Sequence, residues 1–228
     1  MLEVGCGPGL MLAAFKRRGW RVLGIERNEA AAETGRTRFA VEIVSTSIDE
    51  LPADARFDLI ILFQVLEHIG EPVALLKECG KRLAPGGNLI INVPNFGSWQ
   101  AWFAGSKWLH LDVPRHLVHY TPQTLATTLD RAGLRLSSLS FASLEHDPYG
   151  WVESTLNLIT RRPNTLTRFL MGLDRFGLGT ILSILLGVVL LPFAVILSIA
   201  SWVAKKGALM QATAASAGLA GDEFRPHS

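Results

Sequence analysis

Apolar and polar positions follow a regular rhythm along residues 1–93, where short apolar runs are separated by stretches with helical periodicity. Strands that alternate with helices predict a parallel sheet covered by helices on both faces. The run at residues 57–63 is apolar on both of its alternating faces, as a central parallel strand requires. The predicted strands are residues 2–5, 21–26, 41–44, 57–63 and 88–93.

The pattern is interrupted at residues 94–120 and then resumes. Thr121 and Pro122 supply a cap and a first helical position, and the helix that they open ends at Gly133, before a strand at residues 134–141. The interruption is rich in Trp, Gly, Pro and His, which is typical of an insertion or a lid. We therefore expect a substrate region at residues 94–120.

A long uncharged segment lies near the C-terminus. Residues 176–204 form a run of 29 positions without a charge, whereas about 20 apolar residues suffice to cross a bilayer. Arg168 and Arg175 precede the run, and Lys205 and Lys206 follow it. Because basic residues favour the cytoplasmic side, both ends are expected there, and the segment is predicted to embed in a membrane.

Three glycines at alternate positions follow the first predicted strand: Gly5, Gly7 and Gly9, directly before a helix. Backbone without side chains at such a turn lets a ligand approach the helix N-terminus closely. A dinucleotide fingerprint would need glycine at the sixth position, where this chain has Leu10. The spacing therefore disfavours NAD and FAD.

The motif Glu3-x-Gly5-x-Gly7-x-Gly9 resembles the first motif of class I S-adenosylmethionine-dependent methyltransferases. Residues 57–60, 65–69 and 83–87 resemble the family's later strand motifs in order and spacing, so the resemblance runs from residue 1 to about residue 141. Residues 94–95 and 112–117 resemble a bacterial branch related to ubiquinone-biosynthesis O-methyltransferases. The resemblance implies an α/β, Rossmann-like sheet, mostly parallel with an antiparallel last strand. Members carry additional N-terminal structure, so we expect the chain to be N-terminally truncated.

The resemblance implies S-adenosylmethionine as cofactor. Glu26 ends the second strand, where the family uses an acid to bind both ribose hydroxyls, and two carboxylate oxygens suit a diol. The alternative is a solvated charge at a strand end. Ser47 stands where the family often has an aspartate that contacts adenine. The implied cofactor-binding residues are Glu3, Gly5, Cys6, Gly7, Gly9, Glu26, Ser47, Ile48, Phe63 and Gln64.

Methyl transfer to oxygen requires a positioned acceptor and the removal of its proton. His68 and His116 are the predicted catalytic residues because imidazole titrates near neutral pH, although both could instead make structural hydrogen bonds. His110, His119 and Arg115 rank below them. Metal-using relatives have Glu-x-x-Glu-His, whereas this chain has Gln64 in place of the first carboxylate, so no metal is predicted.

Two features of the insertions leave alternatives open. Trp99, Trp102 and Phe103 have helical spacing and suit an acceptor wall, an interfacial anchor or a lid packed on the core. If residues 134–141 and 208–214 are paired strands of one sheet, the hydrophobic run must enter and leave the membrane on one face. We therefore predict a hydrophobic helical hairpin that turns at Pro192, inserted before the last strand. A single kinked span and a soluble buried helix are the alternatives.

Composition agrees with this organisation. Hydrophobic residues make up 49% and charged residues 18% of the chain, with a mean hydropathy of +0.28. A net charge of +2 disfavours nucleic acid as a partner, and the two cysteines predict no disulfide framework. The predicted divisions are a methyltransferase domain at 1–141, a linker and amphipathic helical insertion at 142–175, the membrane segment at 176–204, a final strand at 205–216 and a disordered tail at 217–228.

The combined prediction is a membrane-associated methyltransferase with its catalytic domain on the cytoplasmic face. Its acceptor is predicted to be a hydrophobic small molecule or lipid, methylated on oxygen, such as a quinone precursor or a lipid-linked glycan. The competing class is a catalytically idle cofactor-binding or scaffold protein on the same fold, which Gln64 and the expected missing N-terminal cover would suit.

Overall fold

A computed structural model describes residues 1–160 and 163–216 and contains a seven-stranded sheet. Its strands stand in the order β3-β2-β1-β4-β5-β7-β6, mostly parallel with an antiparallel last strand, as predicted. The strands are β1 (Leu2–Val4), β2 (Leu23–Ile25), β3 (Ile43–Val44), β4 (Phe57–Phe63), β5 (Leu83–Pro94), β6 (Leu134–Ser140) and β7 (Leu209–Ser216).

The strand order changes direction between β1 and β4: β2 and β3 lie on one side of β1, and β4 and β5 lie on the other. β1 pairs in parallel with β2 through Leu2 and Leu23, and with β4 through Leu2 and Ile60. Leu2 and Ile60 are completely buried, which explains the unbroken apolar run of the central strands. In open α/β sheets, ligands bind at the carboxyl ends of the strands where this reversal occurs. The topology therefore positions a binding site after β1.

The chain forms two compact units. Of the described residues, the first unit comprises 1–93, 123–139 and 211–216, and the second comprises 94–122, 140–160 and 163–210. The predicted domain boundaries at 141, 175 and 204 stay predictions, and the tail predicted at 217–228 lies outside the described residues. The first unit contains the helices α1 (Leu10–Lys16), α2 (Glu29–Arg38), α3 (Pro72–Arg82) and, after the short helix α4 (Trp99–Ala104) of the second unit, α5 (Pro122–Arg131).

The second unit is helical. It contains α4 (Trp99–Ala104), α6 (Asp147–Ile159), α7 (Thr165–Leu170) and α8 (Leu178–Val203). The Ser98 side chain accepts a hydrogen bond from the Ala101 N–H and so caps α4. Residues 94–120 are therefore a structured part of this unit, with Trp102 85% exposed on α4.

The hydrophobic segment is one continuous helix, so the predicted turn at Pro192 is wrong. α8 runs for 26 residues with Pro192 inside it. Proline removes one backbone hydrogen bond, but packing on both sides of the proline holds the helix together. Before it, Gly187 lies against Val152 of α6, and after it, Ala194 belongs to a buried cluster with Trp151 of α6.

The start of α6 and the end of α8 are nevertheless joined by hydrogen bonds. The fully buried carboxylate of Asp147, the first residue of α6, accepts hydrogen bonds from the Trp202 Nε1–H at the end of α8 and from the Ala208 N–H, the latter at 3.1 Å. Gln100 Nε2 donates to the Asp147 carbonyl at 2.8 Å. The start of α6 therefore lies beside the end of α8, where the chain returns to the sheet.

The polarity of α8 is the reverse of that of an ordinary surface helix. Its buried positions are small or hydroxyl-bearing, whereas its large apolar side chains, such as Val189 at 64% exposure, face outward. Small residues at helix interfaces with large apolar residues outside are typical of helices in lipid. The buried positions are Thr180, Ser183, Gly187, Ala194, Ser198 and Ser201.

Candidate functional site

A cavity of about 630 Å³ lies within the first unit at the carboxyl ends of β1 and β2. Its position is the one that the strand order predicts for a ligand site. Its walls come from the ends of these strands, the loop at 46–49, the segment after β4 and α3. The lining residues are Val4, Gly5, Ile25, Glu26, Arg27, Thr46, Ser47, Ile48, Asp49, Val65, Ile69, Ala74, Leu75, Lys77, Glu78 and Lys81.

The glycine loop after β1 needs its glycines for conformation and packing. Gly5 has a φ of +71°, and a Cβ atom there would lie 2.6 Å from Cγ2 of Val65. Gly7 has a φ of +52°, but a Cβ atom there would have no neighbouring atom within 4 Å. Only glycine adopts the left-handed region without cost, so the loop can pass beneath Val65 with its backbone exposed to the cavity at Gly5.

Glu26 connects the end of β2 to this loop. Its Oε2 accepts a hydrogen bond of 2.8 Å from the Gly7 N–H, and its Oε1 accepts one of 2.7 Å from the Asn28 N–H. Each carboxylate oxygen has a further lone pair, so the group can still accept two hydroxyl donors. Glu26 is therefore a fixed carboxylate at the cavity wall rather than a freely solvated charge.

The loop at 46–49 forms another wall, as expected for Ser47 and Ile48. The Ser47 hydroxyl hydrogen-bonds Asp49 and holds the pKa of that carboxyl below its ordinary value. Asp49 itself lines the cavity, although sequence reasoning did not select it. The sequence contained a signal for Asp49, because this carboxylate stands two residues after Ser47, where the family often has an aspartate.

Six predicted cofactor residues are absent from this lining as far as the described residues show: Glu3, Cys6, Gly7, Gly9, Phe63 and Gln64. Glu3 is buried, and burial raises its pKa to about 7, although the Leu12 N–H opposes this by hydrogen bonding the carboxylate. Burial likewise raises the pKa of the Cys6 thiol to about 12, so it stays protonated at neutral pH. Their role in cofactor binding stays a prediction.

Gln64 follows β4 with a φ of +54°. Its backbone N–H donates to the Asn92 carbonyl at 2.9 Å, and its side-chain Nε2 donates to Asn92 Oδ1 at 2.6 Å. Asn92 is buried in β5. The amide that replaces the metal-using relatives' carboxylate therefore serves here to tie the ends of two parallel strands together.

Glu67 and His68 share a short 3-10 turn at Leu66–His68. His68 is exposed, whereas Glu67 is 1% exposed. Both Glu67 oxygens lack a hydrogen-bond partner among the described residues, and burial raises its pKa to about 7. The sequence places Glu67 within a family motif, but nothing in the pattern shows that it is buried.

His116 lies in the second unit among other rings. Its Nδ1 is 2.9 Å from the His110 carbonyl oxygen, and its ring centroid is 6.3 Å from that of His119. Burial lowers the pKa of His110 to about 3, so this imidazole is neutral at physiological pH. Arg115 pairs with Asp112 at 2.6 Å. The catalytic roles of His68 and His116 stay predictions.

Comparison with known proteins agrees with this geometry. A family model described as a methyltransferase domain matches residues 1–139. Two similar proteins are named ubiquinone biosynthesis O-methyltransferase. That of Nitrobacter winogradskyi is 27% identical over 162 residues, covering 66% of this chain and 61% of that protein. That of Idiomarina loihiensis is 30% identical over 149 residues, covering 59% and 60%. The chain thus spans about three fifths of the length of these relatives.

A solved structure shares the fold. The crystal structure of a SAM-dependent methyltransferase from Archaeoglobus fulgidus superposes with a TM-score of 0.57 at 19% identity, covering 93% of this chain and 84% of that chain. At this level of identity the likeness concerns the arrangement of the sheet and helices.

Proposed function

The chain belongs to the class I S-adenosylmethionine-dependent methyltransferase family, and we propose that it methylates an oxygen atom of a hydrophobic or membrane-associated small molecule. The cofactor of the family is S-adenosylmethionine, which supplies a methyl group on a sulfonium. The observation that carries the choice of acceptor is the outward-facing apolar surface of α8.

The cavity after β1 and β2 fits this cofactor in size and chemistry. Its volume of about 630 Å³ falls within the roughly 300–1,000 Å³ of small-molecule sites. We assign the Glu26 carboxylate to the two ribose hydroxyls, because it is fixed by Gly7 and Asn28 and keeps free lone pairs. The apolar side chains of Ile48 and Ile69 suit the faces of the adenine ring.

An acceptor hydroxyl must lose its proton as the methyl group arrives, and its oxygen must be held in line with the bond that breaks. His68 is exposed beside the buried Glu67, so we propose it as the residue that takes the proton. His116 is held by the His110 carbonyl, which favours a fixed ring orientation, and we propose it as a residue that orients the acceptor.

The distribution of apolar surface supports a hydrophobic acceptor. Among the described residues, the exposed large hydrophobic side chains of the first unit are Leu10 and Trp20, whereas the second unit exposes them along α4, α7 and α8. The most apolar 18-residue stretch of α8 has a mean hydropathy of 2.8, and the whole helix spans about 39 Å at 1.5 Å per residue, against a hydrocarbon core of about 30 Å. A quinone precursor or a lipid would reach the enzyme from such a surface.

We further propose that the methyltransferase domain lies on the cytoplasmic face. Lys205 and Lys206 stand between the end of α8 and the start of β7, in keeping with the positive-inside rule. β6 and β7 are neighbours in one sheet, and Asp147 binds the end of α8, so the insertion leaves the sheet and returns to it. This arrangement supports entry and exit on one face rather than a single crossing.

The test is transfer of an isotope-labelled methyl group from S-adenosylmethionine to a bacterial membrane lipid extract, with a water-soluble metabolite extract in parallel. We expect label in the organic phase, on an O-methylated product identified by mass spectrometry. Label confined to water-soluble products would overturn the hydrophobic acceptor. Cofactor binding without transfer to either extract would favour an idle cofactor-binding protein.

A further inference from the structure

A second cavity, of about 420 Å³, lies wholly within the second unit. It is bounded by α6, α7 and α8 and is lined almost entirely by apolar side chains; we name it the α6–α8 groove. Residues that define it are Tyr149, Val152, Leu166, Phe169, Val188 and Leu191. Its volume is within the range of small-molecule sites, although it belongs to a different unit from the cofactor cavity.

Specific contacts fix the helices that form the groove. Gly187 forms part of its lining, and a Cβ atom there would lie 3.3 Å from Val152 Cγ1, so α8 packs closely against α6 at this position. The buried Glu153 Oε1 accepts hydrogen bonds from the Leu166 and Thr167 N–H groups at 3.2 and 3.4 Å, which fixes α7 against α6. The groove is therefore a built feature of the packed helices.

The groove walls favour a hydrocarbon. The Tyr149 hydroxyl is already hydrogen-bonded to Thr167 Oγ1 at 2.7 Å, and the Glu145 side chain is exposed at the edge. The remaining lining offers carbon atoms, because Leu166, Phe169 and Leu191 carry no polar side-chain group. Burying apolar area is consequently the main source of binding energy that the groove can provide.

The occupant follows from the charges and polarity around α8. The same helix supplies Val188 and Leu191 to the groove and an outward apolar surface to its surroundings. Arg175 precedes α8, and Lys205 and Lys206 follow it, which complements anionic lipid headgroups. A hydrocarbon chain in a bilayer that contacts α8 meets the groove without passing through water.

We propose that the α6–α8 groove binds one acyl chain of an anionic membrane phospholipid. The proposal rests on the membrane association proposed above and adds a defined lipid site to it. A protein partner that covers the same apolar surface is the competing outcome, and it would leave the groove without lipid.

The test uses the full chain and phosphatidylglycerol vesicles that contain a phosphatidylglycerol with a photoactivatable diazirine in its acyl chain. Vesicle flotation first measures membrane binding, and mass spectrometry then maps the crosslinked peptides. We expect crosslinks concentrated on groove residues such as Phe169 and Leu191. Val188→Trp, which fills the groove, should lower this labelling about tenfold, a change of about 1.4 kcal/mol in binding.

Ile196→Trp is the matched control, because Ile196 is 64% and Val188 65% exposed on the same helix, but Ile196 does not line the groove. This control should label like the wild type. If Val188→Trp does not fold, excess unlabelled lysophosphatidylglycerol must displace the groove crosslinks in the wild-type chain.

The outcomes separate the two proposals. Flotation with labelling spread evenly along α8, or with groove labelling that neither Val188→Trp nor the competitor reduces, overturns the groove site and leaves membrane association standing. Absence of flotation overturns both. Neither result bears on methyl transfer, which is measured on the same preparation with the lipid extract.

Discussion

The Oε2 atom of Glu26 accepts a hydrogen bond of 2.8 Å from the backbone N–H of Gly7. This contact joins the carboxyl end of β2 to the glycine loop that follows β1, at the reversal point of the sheet. One carboxylate therefore both holds the loop in place and faces the proposed cofactor cavity. A site organised in this way does not spend binding energy on ordering the loop.

The packing of Gly5 beneath Val65 gives the first prediction. Gly5→Ala places a methyl group 2.6 Å from Val65 Cγ2 at a φ of +71°, so it should cost more stability than left-handed strain alone, about 2–4 kcal/mol. Gly7→Ala is the control, since it has a similar φ and open space, and should cost only about 1–2 kcal/mol. Urea unfolding measures both, and equal losses would contradict the packing role.

Glu67 gives a prediction about pH. Its folded pKa of about 7 lies above the ordinary 4.5, so the folded state binds the proton more tightly than the unfolded state. The free energy of unfolding should therefore be highest below about pH 4.5 as far as this group is concerned, and this contribution should be lost as pH rises through about 7.

The measurement for Glu67 is the free energy of unfolding across this pH range. Glu67→Gln, which removes the charge, should stabilise the protein at pH 8 by about 2–3 kcal/mol and flatten the profile. Glu71→Gln, at an exposed neighbouring acid, is the control and should change the profile little. A destabilised Glu67→Gln protein at pH 8 would contradict this account of the buried carboxylate.

Histidine substitutions separate chemistry from cofactor binding. His68→Gln should lower kcat by about 10²–10⁴ while the dissociation constant for S-adenosylmethionine stays the same, because the imidazole acts on the acceptor's proton. His116→Gln should raise the KM of the acceptor more than it lowers kcat. His146→Gln is the control, since that ring hydrogen-bonds Ser143 and has no assigned role in the reaction. Wild-type kinetics in His68→Gln would remove it from the mechanism.

The return of the insertion to its starting face predicts which reagents reach Lys205. Lys205→Cys, placed just beyond α8, should react with a membrane-impermeant maleimide in inverted membrane vesicles and be protected in intact spheroplasts. The natural Cys6 and Cys79 are both buried and provide the background measurement. Reaction in spheroplasts alone would contradict the one-face arrangement and favour a single crossing.

The pattern of apolar positions predicted much of the fold, because buried strands of a parallel sheet form short, continuous apolar runs. β4 matches the predicted strand at 57–63 because its interior positions are buried on both faces, and Glu26 could be located because it ends a strand at a characteristic distance from the glycines. The strand that follows the hydrophobic segment was predicted from the resemblance instead, because the family's sheet ends in an antiparallel pair of strands, and β7 indeed stands beside β6.

Other features of the fold depend on tertiary contacts that the sequence pattern does not contain. Pro192 predicted a turn because proline removes a helical hydrogen bond, but contacts at Gly187 and Ala194 on either side keep α8 continuous. Val65 became a cavity wall only because its side chain folds over Gly5. The sequence pattern does not single out Asp147, and only its burial and its hydrogen bonds to Trp202 and Ala208 show that it connects the start of α6 to the end of α8.

The most direct test of the central claim is calorimetric titration of the detergent-solubilised chain with S-adenosylmethionine, for the wild type and for Glu26→Ala. Glu42→Ala, at an exposed acid outside the cavity lining, is the matched control. Hydrogen bonds to a charged group contribute about 1.5–3 kcal/mol each, so Glu26→Ala should weaken binding at least about tenfold, whereas Glu42→Ala should bind like the wild type. Wild-type affinity in Glu26→Ala, or no saturable binding by the wild type, would contradict the assignment of this cavity to the cofactor.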